Sequence, residues 1–136
     1  MNGSAPTDDD LLAAARANIA RAYSPYSKFE TGAVVVTEAG DRVNGTIIEN
    51  VSLGLAMCAE RVAMFNAVTA GASPATLVLA APDTDGSITW PCGACLQVAL
   101  ELGGPDLVVI VGDDADGPAH RAALSELLPR GPRVEH

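Results

Sequence analysis

Three cysteines and one glutamate are the residues of this sequence best suited to chemistry. Cys58-Ala59-Glu60 places a carboxylate two residues after the first thiol, and Pro91-Cys92-Gly93-Ala94-Cys95 holds the other two thiols. Three thiolates can bind Zn²⁺ and leave its fourth position for water, as a catalytic zinc site requires. Glu60 would then take a proton from that water and deliver it to a substrate. We predict one catalytic zinc ion per subunit, with Cys58, Cys92 and Cys95 as ligands and Glu60 as the proton shuttle.

Three other interpretations compete with a catalytic zinc. A C-x-x-C pair often performs redox chemistry, but that chemistry needs no Cys-x-Glu upstream. A closed structural zinc site needs a fourth ligand, and the two histidines, His120 in a predicted polar turn and His136 at the end of the sequence, are expected to face solvent. Glu60 could be an ordinary polar residue of a helix, yet that helix is apolar nearly all round. The combined motif favours the catalytic site.

Both groups of thiols fall at the predicted N-termini of helices. The free N–H groups and the positive dipole end of a helix lower thiol pKa values and stabilise sulfur anions. Zinc with three thiolates carries net negative charge, which makes the metal a weaker acid towards its water. Arg61 directly follows Glu60, and we predict that it hydrogen-bonds the sulfurs and offsets this charge.

Hydrophobic periodicity predicts the elements that position these residues. The predicted helices run from the Thr7–Asp10 cap to near Tyr23, over Ala56–Val68, over Cys92–Leu102 and over Arg121–Leu128. The predicted strands are Gly32–Thr37, Arg42–Ile48, Thr76–Ala81 and Leu107–Val111. This order, α-β-β-α-β-α-β-α, indicates a three-layer α/β domain with a mixed sheet.

Length and charge limit the other possibilities. The 136 residues suit one domain, which we place at residues 8–129, with tails at 1–7 and 130–136. Eight basic and 17 acidic side chains give a formal charge of -9, which argues against binding to nucleic acid or to an anionic membrane. The sequence contains no apolar run long enough to span a membrane and no signal-peptide pattern, so we expect a cytoplasmic protein.

Taken in order, the motifs resemble those of the small homotetrameric cytidine deaminase family, part of the cytidine and deoxycytidylate deaminase superfamily. The resemblance covers residues 10–129. Its motifs are A-Y-S-P-Y-S-K-F at 22–29, G-A-V at 32–34, I-E-N-V-S at 48–52, C-A-E-R at 58–61, P-C-G-A-C at 91–95 and E-L-L-P at 126–129. Each flanking motif is weak alone, but together in this order they are specific.

The resemblance implies a fold, a reaction and several residue roles. The fold would be a three-layer α/β/α structure with a mixed five-stranded sheet, assembled as a homotetramer or alternatively as a dimer. The reaction would be hydrolytic deamination of cytidine or deoxycytidine in pyrimidine salvage, with release of ammonia. Phe29 would stack on the base, Glu49 would hydrogen-bond the ribose, and backbone groups around Ala59 and the Trp90–Pro91 turn would contact the base edge.

The sequence departs from the family pattern in the region that contacts the sugar. Ile47 stands where the family has an asparagine that binds a sugar hydroxyl, and Leu53 replaces an aromatic residue. The family's phenylalanine after L-L-P is also absent. An alternative substrate is therefore a modified cytosine nucleoside such as blasticidin S, or a free cytosine-like base. Phe29 and Glu49 favour the ordinary cytosine nucleoside.

Overall fold

The computed structural model describes residues 5–136, so residues 1–4 of the predicted N-terminal tail lie outside the described residues. The helices are α1 (Asp8–Ala17), α2 (Ala59–Thr69), α3 (Gly93–Gly103) and α4 (Leu124–Leu127). The strands are β1 (Gly32–Thr37), β2 (Arg42–Thr46), β3 (Pro74–Ala80), β4 (Val108–Gly112) and β5 (His120–Ala123). Short 3₁₀ turns occupy Ile19–Arg21 and Leu53–Leu55. No helix within residues 5–136 has both the length and the apolar character needed to cross a membrane.

The five strands form one mixed sheet in the order β2-β1-β3-β4-β5. β3 and β4 run parallel, and the other neighbouring strands are antiparallel. α3 makes the crossover between the two parallel strands. The predicted α/β class with a mixed five-stranded sheet is confirmed.

Alternating residues of the central strands build a core on each face of the sheet. Val34, Val78 and Ile110 are cross-strand neighbours and pack with Leu12 of α1 on one face. The residues one position along each strand pack against α2, α3 and Leu124 on the opposite face. The result is three layers, with α1 on one side and the two thiol-bearing helices on the other.

The first helix begins as predicted but ends earlier. Thr7 and Asp10 form a capping box, in which each residue's backbone N–H donates to the other's side chain at 3.0 Å. The prediction that this helix continues to near Tyr23 was wrong, because α1 ends at Ala17. Buried Asn18 donates a side-chain hydrogen bond to Ala33 O at 2.9 Å, and this tie to β1 accompanies the turn in the chain.

The predicted helix over Arg121–Leu128 was also wrong in its first half. His120–Ala123 forms β5, which pairs antiparallel with β4, and only the single turn of α4 is helical. Arg121, Ala122 and Ala123 favour a helix by local propensity, but the unpaired edge of β4 offers backbone hydrogen bonds that override it. His120 accordingly lies on an exposed edge strand and not in a turn.

Gly45 sets the distance between β2 and α2. A Cβ atom built on Gly45 would lie 2.4 Å from Ala63 N and 2.5 Å from Ala59 O, so a side chain cannot fit between strand and helix. α2 therefore rests directly on the backbone of β2. This contact holds the start of α2, and with it Cys58 and Glu60, at a fixed height above the sheet.

The residues after α4 run along α3. Pro132 O accepts a hydrogen bond from Gln97 Nε2 at 2.8 Å, and Arg133 Nε donates to Leu100 O at 2.9 Å. Arg133 thereby caps a carbonyl near the C-terminal end of α3, where a cation is favoured by the helix dipole.

Candidate active site

The starts of α2 and α3 bring the three cysteines together. Cys58 is the N-cap of α2 and Cys92 is the N-cap of α3, while Cys95 lies in the first turn of α3. Neither N-cap sulfur is used to cap its helix, so both remain available to a ligand. The three sulfur atoms all lie within 4.8 Å of one another, and Cys92 Sγ is 3.5 Å from Cys95 Sγ.

This arrangement fits a zinc ion. Thiolates bound to tetrahedral zinc at about 2.3 Å lie roughly 3.8 Å from each other, close to the separations of these sulfurs. Within the described residues the metal-binding group consists of the three cysteines, with neither histidine among them. Three thiolates leave one position of a tetrahedral metal open, which is the arrangement of a catalytic site and not of a closed structural one. The chain thus has the donor set for the predicted zinc.

Arg61 makes a hydrogen bond with one sulfur of the cysteine cluster. Its Nη2 donates to Cys58 Sγ at 3.3 Å. The hydrogen bond from the Cys95 thiol, reinforced by that from Arg61, lowers the pKa of the Cys58 thiol to about 5. The same bond to Cys58, together with burial, raises the pKa of the Cys95 thiol. Of these two thiols, Cys58 is therefore the one that ionises more readily to bind a metal.

Glu60 is a buried carboxyl next to the sulfurs. It sits in the first turn of α2 with only 4% of its surface exposed. Burial, followed by the negative charge of Cys58, raises the pKa of Glu60 to about 7. A carboxyl with this pKa gains and loses a proton near neutral pH, as a general acid and base must.

A cavity of about 150 Å³ opens beside the cysteine cluster. Its wall combines the thiols of Cys58 and Cys92 and the carboxyl of Glu60 with the aromatic rings of Phe29 and Trp90. The aromatic residues come from the loop before β1 and from the loop before α3, which are far apart in sequence. The fold therefore places polar, metal-binding residues and aromatic residues around the same cavity.

The predicted site residues divide into two groups around this cavity. Ile47 lines it together with the residues named above. The described lining residues do not include Ala59, Pro91, Glu49 or Leu53. Ala59 and Pro91 are buried beside lining residues, Glu49 faces the loop that carries Phe29, and Leu53 is 81% exposed.

Four lining residues were not predicted from the sequence: Thr31, Leu79, Ala81 and Thr89. Leu79 and Ala81 alternate at the end of β3, so period-two counting along this strand could have placed them on one face. Thr31 follows Phe29 by two residues in the extended chain before β1. Thr89 donates to Pro82 O at 2.6 Å and so ties the loop that carries Trp90.

The chain is similar to known zinc deaminases. A family model described as "Cytidine and deoxycytidylate deaminase zinc-binding region" matches residues 5–111. A cytidine deaminase of Halalkalibacterium halodurans is 41% identical over 108 residues, which cover 79% of this chain and 80% of that protein. A cytidine deaminase of Mycobacterium tuberculosis is 42% identical over 110 residues, covering 81% of this chain and 77% of that protein.

Solved structures show the same similarity. The 1.6 Å crystal structure of cytidine deaminase from Burkholderia pseudomallei superposes with a TM-score of 0.82 at 40% identity, covering 90% of this chain and 97% of that one. The crystal structure of cytidine deaminase from Mycobacterium tuberculosis superposes with a TM-score of 0.72 at 36% identity, covering 88% of this chain and 91% of that one.

Proposed function

The chain belongs to the cytidine and deoxycytidylate deaminase family, and we propose that it converts cytidine or deoxycytidine to the uracil nucleoside with release of ammonia. One observation carries the proposal. Glu60, a buried carboxyl, lies beside three clustered cysteine sulfurs in a cavity walled by two aromatic rings. A proton shuttle, a metal site and a slot for a flat base are the three parts that this hydrolysis needs.

The residues of this chain supply proton transfer and orientation. Bound by Cys58, Cys92 and Cys95, zinc would supply a Lewis acid that activates water. Glu60 accepts a proton from the attacking water and delivers it to N3 of the cytosine ring. Water adds at C4 and the bond from C4 to the amino nitrogen breaks. Glu60 then takes the proton of the hydroxyl added at C4 and passes it to the amino nitrogen, so that ammonia leaves and the C4 carbonyl forms. The reaction balances as nucleoside plus water to uracil nucleoside plus ammonia.

The cavity wall provides the basis for recognising a cytosine base. Phe29 and Trp90 offer flat apolar surfaces for stacking, which is favourable for any planar ring. We assign contacts with the base edge to backbone groups near Ala59 and Pro91, and a ribose contact to Glu49. Ile47 presents an aliphatic surface in the same cavity, so recognition of the sugar depends less on hydrogen bonds there. Names of the relatives favour cytidine over the blasticidin S alternative.

We also propose that residues 8–129 act as one domain in a homotetramer, with a dimer as the alternative. Val51, Leu53 and Leu55 support self-association, because three aliphatic side chains that are 78%, 81% and 67% exposed within five residues form an apolar surface that monomers seldom leave open. Three free thiols support a cytoplasmic location, and a nucleoside substrate supports a role in pyrimidine salvage. Sedimentation and light scattering of the zinc-loaded protein test the assembly.

The decisive test is ammonia release by the zinc-loaded protein offered cytidine, deoxycytidine, free cytosine and blasticidin S in parallel. We expect turnover of the first two. Glu60→Gln should retain zinc and lose about 10²- to 10⁴-fold in kcat, as removal of a general acid–base group does. Glu38→Gln, on the exposed turn after β1, is the matched control and should keep full activity.

Two outcomes would contradict this function. Turnover by Glu60→Gln at the rate of the unaltered protein would remove Glu60 from the mechanism. Turnover of blasticidin S or free cytosine alone would keep the zinc chemistry and reject the proposed substrate.

A further inference from the structure

The carboxylate of Glu49 accepts hydrogen bonds from the loop that precedes β1. Its Oε1 accepts hydrogen bonds from the backbone N–H groups of Tyr26 at 3.0 Å and Ser27 at 3.2 Å. Its Oε2 accepts a hydrogen bond from the hydroxyl of Ser27. A carboxylate has about four acceptor positions, so three are filled and one remains on Oε2.

The hydrogen bonds continue from Ser27 to Phe29. The Ser27 hydroxyl donates to Glu49 and accepts the backbone N–H of Phe29 at 3.0 Å. Glu49, Ser27 and Phe29 therefore form a relay that starts at a carboxylate and ends at the backbone of the aromatic residue in the cavity wall. Such charge-assisted bonds are stronger than those between neutral groups.

The conformation of the loop before β1 depends on contacts with other parts of the chain. Lys28, between the two ends of the relay, has φ of 62°, a left-handed conformation that a lysine adopts only when its surroundings impose it. The base of the loop is already clamped by main-chain bonds, from Tyr23 N to Ile47 O at 2.9 Å and from Glu49 N to Tyr23 O at 2.8 Å. The Glu49 side chain adds hydrogen bonds with Tyr26 and Ser27 in the middle of the loop.

Given the proposed function, on which this inference rests, we propose that Glu49 is a positioning residue for the base-stacking ring. Its carboxylate acts through the Ser27 hydroxyl to hold the backbone from which Phe29 enters the cavity wall. This role differs from ribose binding, which the family resemblance implies and which would use the remaining acceptor position of Oε2. The two roles make different predictions for a nucleoside that lacks the 2′- and 3′-hydroxyls, because only the positioning role affects its binding.

The test compares Glu49→Ala, Ser27→Ala and the double variant on cytidine and on 2′,3′-dideoxycytidine, using the zinc-loaded protein. Loss of the positioned stacking surface weakens binding of the ground state and of the transition state alike. KM should therefore rise about tenfold for dideoxycytidine, and at least as much for cytidine, whose ribose contact is also lost in Glu49→Ala, while kcat stays within about twofold. On dideoxycytidine the double variant should be no worse than either single variant, because both changes break one relay. Ser27→Thr keeps the hydroxyl and should restore KM.

Two further readouts do not depend on turnover. The Phe29 amide should exchange its hydrogen about fivefold faster in Ser27→Ala and in Glu49→Ala. Trp90 is the single tryptophan of the chain and shares the cavity wall with Phe29, so acrylamide should quench its fluorescence more strongly in both variants. These readouts decide the positioning role even if neither nucleoside is a substrate.

Ser125→Ala is the matched control, because Ser125 is exposed on α4 and its hydroxyl bonds no other described group. It should match the unaltered protein in every readout. The inference is overturned if Ser27→Ala behaves like the unaltered protein, or if Glu49→Ala impairs cytidine but not dideoxycytidine. Melting temperatures within about 2 °C of one another would confirm that all variants are folded.

Discussion

The close approach of α2 to β2 at Gly45 leads to the sharpest prediction, Gly45→Ala. The new Cβ would lie 2.4 Å from Ala63 N, whereas ordinary contact begins at 3.4 Å, so the fit is about 1 Å too tight. Both nearby groups, Ala63 N and Ala59 O, are backbone atoms that cannot rotate away. The helix must retreat, which loosens its contacts with the sheet. We expect a loss of about 3 kcal/mol in the free energy of unfolding, the upper end for overpacked cores, and a melting temperature lower by about 10 °C.

The same displacement should reach the metal site. Cys58 is the N-cap of α2, while the other two thiols belong to α3. A shift of about 1 Å exceeds the roughly 0.2 Å tolerance of metal–ligand distances, so Gly45→Ala should also bind zinc more weakly.

Urea denaturation and equilibrium competition with a zinc chelator measure the two effects. Gly54→Ala is the control, because a Cβ on Gly54 would meet no heavy atom within 4 Å. That variant should be neutral or up to about 1 kcal/mol more stable, since alanine reduces the entropy of the unfolded chain. A Gly45→Ala protein within about 0.5 kcal/mol of the unaltered chain would refute the proposed rigid contact.

Three further predictions concern single side chains. Ile47→Asn should lower the KM for cytidine about fivefold and leave that for free cytosine unchanged, because an amide in the cavity wall can bond a sugar hydroxyl; steady-state kinetics measures this. Arg61→Ala should weaken zinc binding about 10- to 100-fold in chelator competition, because the N–H to Cys58 Sγ is lost. Asp113→Ala should reduce unfolding free energy by about 1 kcal/mol at pH 7, after discounting for solvent screening, and less in acid.

The pH dependence of the last variant follows from the contacts of Asp113. Backbone N–H groups of Ala115 and Gly117, with the charge of Arg16, hold the pKa of this carboxyl below its ordinary value of 3.8. A depressed pKa stabilises the fold above the unfolded value, and the effect is lost as pH falls through the folded value. Urea denaturation at pH 7 and in steps below about pH 4 should show the difference shrinking. Asp114→Ala, at an exposed neighbour, is the control and should leave the unfolding free energy at pH 7 unchanged.

Equal effects on cytidine and cytosine would show that residue 47 does not contact the sugar. Unchanged zinc affinity in Arg61→Ala would mean that the Cys58 sulfur does not depend on this cation. A stability difference that does not shrink as the pH falls below about 4 would assign the Asp113 effect to packing instead of charge.

Local sequence patterns were sufficient to predict the structure wherever it is determined by residues close together in the sequence. The capping residues Thr7 and Asp10 are three positions apart, and α3 begins one residue after its predicted start at Cys92. The predicted start of α2 at Ala56 was three residues too early, since this helix begins at Ala59. The continuous apolar runs of β1 and β3 sufficed to predict these two strands, which the structure buries on both faces of the sheet. Each of these signals depends on residues that are close together in the sequence.

Predictions from local patterns failed where contacts with a segment distant in sequence overrode the local preference for a helix. Arg121–Ala123 resembles a helix but pairs with β4, since an exposed strand edge offers hydrogen bonds that propensity cannot match. The first helix was predicted too long because the partner of Asn18, Ala33 O, lies 15 residues away. Neither contact can be seen in a window of neighbouring residues.

The amino-acid sequence by itself determined which residues could do chemistry: three thiols and a carboxylate at the predicted starts of two helices, with the motifs of a known family around them. Only the tertiary structure decided that Phe29, Ile47 and Trp90 share a cavity with Glu60, and that Glu49 faces the Phe29 loop. The physical reason is distance along the chain. Residue type and short spacing fix a donor set, whereas a cavity wall exists only after the sheet and both helices have packed.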